Sequence, residues 1–200
     1  MYTQIRRALL LGLSLLGLSG VAQAEVVEAQ NAGFKIKQLA TIAASPDKVY
    51  AAFVDIGSWW DPQHTYSGSS ANLHIDARAG GCFCETLQNG GGIVHMMLVN
   101  VVPGTRITLS GALGPLQIAG VAGAMTVQTV PKDGGTQFGM LYLVGGYFPG
   151  GLNSVAKDVD AVLTLQVARL KRYVETGSPL EAAVVAPTTP APTPAAPVAP

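Results

Sequence analysis

Apolar and polar positions alternate from Phe34 to Ala44. Phe34, Ile36, Ala40 and Ile42 fall on one side, and Lys35, Lys37 and Thr41 on the other. A period of two is that of a half-buried strand. At Ser45-Pro46-Asp47 the period changes. Serine is a good N-cap, proline suits the first helical position and aspartate favours the positive helix end. Val49, Phe53, Ile56 and Trp60 follow at helical spacing, and Gly57 and Asp61-Pro62 stop the run. Period-two segments then return at Leu73–Ala77, Cys82–Leu87, Ile93–Val102, Thr105–Ser110, Val121–Val130 and Thr136–Val144. Asn89-Gly90-Gly91-Gly92, Pro103-Gly104 and Lys132-Asp133-Gly134-Gly135 separate them as hairpin turns, and Gly80-Gly81 marks a bulge or sharp bend. Turns this short cannot make parallel crossovers, so the run is an antiparallel meander. A last segment, Ser154–Thr176, carries one apolar stripe (Val159, Leu163, Val167, Leu170, Val174) and one polar stripe (Lys157, Asp160, Thr164, Lys171, Glu175). Asn153 or Ser154 can cap it, and Gly177 and Pro179 end it. The order predicts an α+β fold: a strand, a short helix, an antiparallel β-sheet, and a long C-terminal helix around which that sheet curls.

The two ends read differently. Arg6 and Arg7 precede the apolar run Ala8–Val21, and Ala22-Gln23-Ala24 offers a small-x-small cleavage site before Glu25. This is the pattern of a secretory signal peptide, residues 1–24, cleaved after Ala24. No cysteine stands at the cleavage point for lipid attachment, and the run is shorter than the ~20 residues of a spanning helix. Residues 25–32 are expected to be a linker and 33–177 one domain. From Ser178 the chain turns to Pro, Ala, Thr and Val, so 178–200 is expected to be an extended, disordered Pro/Ala-rich tail. The expected localisation is periplasmic or secreted, with no transmembrane segment after signal cleavage.

Composition narrows the function. The 200 residues carry 12 basic and 12 acidic side chains, a formal net charge of zero. A polyanion-binding protein needs many Lys and Arg contacts to phosphate, so nucleic acid is excluded as a partner. No phosphate loop opens a helix after a strand, and there is no nucleophile elbow and no His-rich metal motif. No cofactor is expected, and the protein partner is unknown, a protein-interaction domain using the outer sheet surface and the tail being the weaker third reading.

Several short motifs carry a resemblance. They are Ala44-Ser45-Pro46-Asp47-Lys48-Val49-Tyr50 opening the first helix, Trp59-Trp60-Asp61-Pro62 after it, Gly80-Gly81-Cys82-Phe83 opening a strand, Val101-Val102-Pro103-Gly104 before the next, and the terminal helix. In this order the chain resembles the START-like (SRPBCC) superfamily with its helix-grip fold, closest to the branch named for the activator of a heat-shock-protein ATPase. The resemblance covers nearly all of Phe34–Gly177. It implies an apolar cavity between sheet and long helix that holds a hydrophobic small molecule or lipid. In a minority of members the same cavity serves cyclase, hydrolase or ring-oxygenase chemistry. No catalytic set is shared across the superfamily, so none is transferred.

The residues themselves offer candidates. Phe83 and Glu85 share one strand face, which the resemblance turns toward the cavity. A carboxylate beside apolar space has a raised pKa and can act as an acid or base, whereas a solvent-facing or Arg-paired Glu85 would do neither. Trp59, Trp60, His64 and Tyr66 follow the first helix, as aromatics with polar tips suited to a cavity mouth; Trp60 as core and His64 as exposed loop is the competing reading. Tyr142, Tyr147 and Phe148 are similar candidates, with packing as the alternative. His74 alternates with Leu73 and Ile75 and is expected at the surface. Cys82 and Cys84 are the only cysteines. On a regular strand they share a face about 7 Å apart, too far for a comfortable disulfide, so they are not expected to bridge unless the bulge rearranges them. Buried thiols, a strained or intermolecular disulfide, and a weak metal site of Cys82, Cys84 and His95 from the paired strand all stay open.

Two functions remain. One is an exported binding protein for a hydrophobic molecule, with Trp59, Trp60, His64, Tyr66, Phe83, Glu85, His95 and Tyr142 as ligand-binding residues. The other is a small cavity enzyme, cyclase- or hydrolase-like, using Glu85, His95 or His64 as acid and base. It requires that at least two of these three face one cavity.

Overall fold

The structure, a computed structural model, describes residues 23–181. The expected signal peptide, up to residue 22, and the expected Pro/Ala-rich tail, beyond residue 181, lie outside the described residues.

Eight antiparallel strands form one sheet: β1 (Gln23–Gln30), β2 (Gly33–Ile42), β3 (Leu73–Ile75), β4 (Cys82–Thr86), β5 (Gly92–Val102), β6 (Arg106–Ser110), β7 (Gly120–Lys132) and β8 (Gly135–Tyr147). Their order across the sheet is β1-β2-β8-β7-β6-β5-β4-β3. Each strand from β3 to β8 pairs with its sequence neighbour, as short turns require. The β7–β8 turn leaves only Asp133 and Gly134 between the paired Lys132 and Gly135, and both have positive φ (49° and 77°). That is the two-residue geometry whose twist matches the strands, and Asp-Gly suits it.

Residues 25–32, expected as a linker, are instead mostly strand: β1 pairs with β2 from Gln23↔Leu39 to Gln30↔Gly33. Glu25, Glu28 and Gln30 hide the alternation, because an edge strand has one hydrogen-bonding side in solvent and little apolar surface to bury.

Helix α1 (Pro46–Val54) is capped by Ser45, whose Oγ accepts from Lys48 N, and it buries Val49 and Phe53. Helix α2 (Ala156–Thr176) starts two residues later than the periodicity suggests, because Leu152–Ser154 form a 3-10 turn whose Ser154 Oγ donates back to Gly151 O. It ends at Gly177, left-handed at φ 81°. Its 21 residues span about 31 Å.

The concave face of the sheet and α2 enclose the core, where Ile36, Ile42, Leu98, Phe138, Leu163 and Leu170 are fully buried. The polar stripe of α2 is not simply solvated. Gln38 of β2 sits on the buried face, and its Nε2 donates to Asp160 Oδ1 (2.6 Å) and Thr164 Oγ1 (3.2 Å). Burial pushes the Asp160 carboxyl up, with the Gln38 bond opposing it. Among the described residues, no helix is long and apolar enough to cross a membrane.

Candidate functional site

A cavity of about 470 Å³ opens between α2 and the β3–β5 end of the sheet. Four parts of the chain wall it. The loop after α1 contributes Trp60, Gln63, His64, Thr65 and Tyr66. From β4 and β5 come Phe83 and His95. The β6–β7 loop supplies Leu113 to Leu116, and α2 with its approach supplies Phe148, Val155, Asp158, Val159, Val162 and Leu163. The wall is mostly hydrocarbon and ring, with a few polar groups set in it, the composition of a small-molecule site.

Each wall is fastened by identifiable bonds. Arg169 of α2 donates from Nε to Trp59 O (2.8 Å) and from Nη2 to Trp60 O (3.3 Å). Gln166 accepts from Asp61 N through Oε1 (2.9 Å), and its Nε2 meets His64 Nδ1 (3.3 Å). The helix therefore holds the Trp59–His64 segment over the sheet. Tyr142 Oη accepts from Leu113 N (3.0 Å), and Gln117 Nε2 donates to Val94 O (2.8 Å), tying the β6–β7 loop down onto β8 and β5. Burial pushes the Tyr142 phenol up to about 12, so it stays neutral and available as an acceptor.

Glu85 and His95 form the chemical centre. The Glu85 side chain is sealed from solvent, and its Oε2 lies 2.9 Å from His95 Nε2. The backbone N–H groups of Tyr66 and Ser67 also donate to this carboxylate. Burial pushes Glu85 up, but the bonds from Ser67, Tyr66 and His95 together outweigh it, leaving its pKa below the ordinary value. This reverses the raised pKa expected from the sequence: a buried carboxylate surrounded by donors is stabilised as the anion. Burial lowers the pKa of His95, with Glu85 partly opposing it, and the net direction is down. The pair is thus a carboxylate and a neutral imidazole. An ionised carboxylate only accepts, so His95 carries its proton on Nε2. Nδ1 is then a lone pair. It has no hydrogen-bond partner among the described residues and is not sealed, since the one sealed unpartnered side-chain atom among them is Tyr50 Oη. The ring stacks on Phe83 (centroids 4.6 Å) and approaches Tyr66 (5.9 Å).

The sequence candidates separate on this geometry. Trp60, His64, Tyr66, Phe83 and His95 line the cavity. Glu85 shares the inner face with Phe83 but stands behind His95 rather than in the wall. Trp59 is core: it packs on Phe53, and its Nε1 donates to Ala52 O (2.7 Å). Tyr142 is also core and reaches the site only through Leu113. Of the two further aromatics, Phe148 is in the wall and Tyr147 is exposed. The cysteines correct the expectation from strand spacing. Cys82 and Cys84 are joined in a disulfide across a Cα separation of 5.4 Å, shorter than a regular strand sets, at the point where the β4–β5 register shifts and leaves His95 unpaired in β5. Nor does His95 complete a metal set with them, since it points to the opposite face, onto Glu85. His74, at the surface as expected, is the histidine beside the sulfurs.

Gln166 and the Leu113–Leu116 segment were not singled out from the sequence. A signal for Gln166 existed, since it lies three residues after Leu163 on the core-facing side of α2, where a polar side chain needs a partner. The loop carries no such signal, because glycines and a proline mark a turn without saying what it covers.

Comparison with known proteins places the fold. The family described as "Polyketide cyclase / dehydrase and lipid transport" matches residues 33–175. No curated protein matches the chain. Among solved structures, Ara h 8.0201 superposes with a TM-score of 0.50 at 18% identity, over 71% of this chain and 97% of that one. DynU16, from the dynemicin biosynthetic locus, gives 0.50 at 19% over 72% and 48%. The Aha1 dimer from Colwellia psychrerythraea gives 0.49 at 16% over 72% and 97%.

Proposed function

The chain belongs to the polyketide cyclase / dehydrase and lipid transport family, and from that premise we propose that it is an exported protein holding a hydrophobic small molecule in the cavity between sheet and α2. Binding of hydrophobic ligands is what the family description implies; export is read from the N-terminal sequence pattern alone. One observation carries the choice of ligand. Within a wall of Trp60, Phe83, Leu116, Val159 and Val162, the lone pair on His95 Nδ1 is an acceptor without a partner. The ligand that fits is apolar and bears one hydroxyl or phenol donor. Asp158 and His64 stand elsewhere in the wall and suit contact with a second polar end.

The test compares 2-naphthol with naphthalene on the ligand-stripped chain by calorimetry, beside native mass spectrometry of the protein as exported. The hydroxyl is expected to add about 1 kcal/mol, roughly fivefold in affinity, and His95→Phe is expected to abolish that difference while keeping the ring stack. A chain that binds neither compound and carries no co-purifying mass overturns the proposal.

The second reading, a small cavity enzyme, is favoured by the same pair. His95 held by an anionic Glu85 is a general base in the cavity wall, and His64 lines the same cavity, so two of the three named groups face one volume. In that reading Glu85 orients and stabilises the imidazolium, and a bound phenol or enol is the proton donor.

A further inference from the structure

The outer face of β4 carries a second cluster that neither the cavity nor its pair uses. Phe83 and Glu85 point inward, so Cys82 and Cys84 emerge on the other side of the sheet. His74 stands directly opposite Cys84 across the β3–β4 pair and is exposed. One ligand atom from each of His74, Cys82 and Cys84 lies within 4.8 Å of the others. On the other flank, β5 sets Met97 directly opposite Cys82, and Met97 is exposed whereas its neighbour Met96 faces the core. Directly opposed antiparallel residues have Cβ atoms about 4.5–5.5 Å apart. Two cysteine sulfurs, an imidazole and a thioether therefore share one patch across three adjacent strands.

We propose that this patch is a redox-gated site for a soft monovalent cation of the copper(I) class. In the disulfide form the sulfurs are not thiolates and no site exists. An external dithiol opens it. The dithiol's own sulfurs join, its two electrons and two protons pass to the protein, the Cys82–Cys84 S–S bond breaks, and two thiols result. Each thiol releases its proton to solvent as the metal binds. Cys82, Cys84 and His74 are then the ligands, with the Met97 thioether as the fourth. Two thiolates around one metal at ~2.3 Å each sit roughly 3.5–4 Å apart. The 5.4 Å Cα separation permits that by side-chain rotation. The donor set points to a soft cation: thiolate and imidazole suit copper(I) and zinc alike, and the Met97 thioether, outside the Cys, His and carboxylate ligands zinc takes, favours copper(I), whereas hard cations want oxygen ligands. The argument uses the face of β4 opposite the cavity and does not depend on what the cavity binds.

The test uses the full chain, reduced with a dithiol under nitrogen and desalted. Copper(I) is delivered from a coloured chelator that competes for it. One copper per chain and a new near-ultraviolet thiolate-to-copper absorption are expected. The untreated disulfide form and the Cys82→Ser/Cys84→Ser variant are expected to take none. His74→Ala and Met97→Leu are each expected to weaken binding by about tenfold or more, at least the lower end of what supporting groups around a metal are worth. Far-UV circular dichroism checks that each variant is folded; all four side chains lie on the outer face. Equal copper uptake by the double-serine variant, or unchanged affinity in His74→Ala, overturns the site. Zinc bound as tightly as copper(I) overturns the soft-cation assignment, and unchanged affinity in Met97→Leu removes the thioether.

Discussion

Glu85→Ala tests the centre of the site. The substitution removes the acceptor for three donors: Tyr66 N–H, Ser67 N–H and His95 Nε2–H. Bonds to a charged acceptor are worth about 1.5–3 kcal/mol, and a buried donor left without a partner costs about 1–3 kcal/mol. The three are not equal. The two loop-amide bonds are only part-buried, so water can replace some of what they lose and their loss costs roughly 0.5–1 kcal/mol each. His95 is only 6% exposed and bears the full penalty. Removing the carboxylate also removes its own desolvation cost, which lowers the sum. The expected loss is about 3 kcal/mol, or roughly 6–12 °C in Tm for a domain of about 150 residues. Urea unfolding between pH 4 and 8 is the assay. A carboxyl whose folded pKa lies below its ordinary 4.5 contributes stability that is complete above pH 4.5 and lost as pH falls through the folded value. The part of the gap between wild type and Glu85→Ala that comes from the carboxylate's own titration should therefore be flat from pH 6.5 to 8 and shrink below about 4.5. His95 acts in the same direction: with its folded pKa below 6.5, it contributes stability above pH 6.5 that is lost as pH falls below that value. Glu85→Gln gives the control on mechanism. Its amide oxygen can take the Oε2 position and still accept from His95 Nε2–H and Tyr66 N–H, but its NH2 then faces Ser67 N–H, so part of the loss should remain while ring ¹⁵N shifts report an unchanged tautomer. A Glu85→Ala protein within about 0.5 kcal/mol of wild type at pH 7.5 would refute the account of the carboxylate as a satisfied buried anion.

Two other outcomes follow from the walls. Val162→Trp should project an indole from α2 into the cavity and weaken 2-naphthol at least about tenfold, while leaving Tm nearly unchanged, because space already open escapes the ~1–3 kcal/mol of overpacking; native binding in this variant would place the ligand elsewhere. Tyr142→Phe removes the hydroxyl that accepts from Leu113 N and should cost about 1 kcal/mol, with faster hydrogen exchange at the Leu113 amide as the local readout; unchanged protection there would mean that the β6–β7 loop is held by Gln117 alone.

The elements of this protein were legible along the chain because each rests on local geometry. Alternation over Phe34–Ala44 marked β2 and its buried face, Ser45-Pro46 marked the start of α1, Lys132-Asp133-Gly134-Gly135 marked a hairpin, and the Leu163–Val174 stripe with Gly177 marked α2. Periods of 2 and 3.6 and the φ preferences of a few residues act within a handful of positions, so one chain is enough to read them. That Phe83 and Glu85 share a face was legible on the same grounds, whereas its turning inward was an expectation carried by the family resemblance. What depended on register was not. Cys82 and Cys84 close to 5.4 Å where a regular strand would hold them apart, the register shift beside them leaves His95 as the extra residue of β5, facing Glu85, and the pairing of β3 with β4 puts His74 beside the sulfurs. β1 escaped notice because its pairing partner supplies the order that its own polar residues do not. The charge states followed the tertiary structure too. Burial alone would raise the Glu85 carboxyl, and the donors of Ser67, Tyr66 and His95, converging from a loop 18 and 19 residues upstream and a strand 10 residues downstream, reverse the sign.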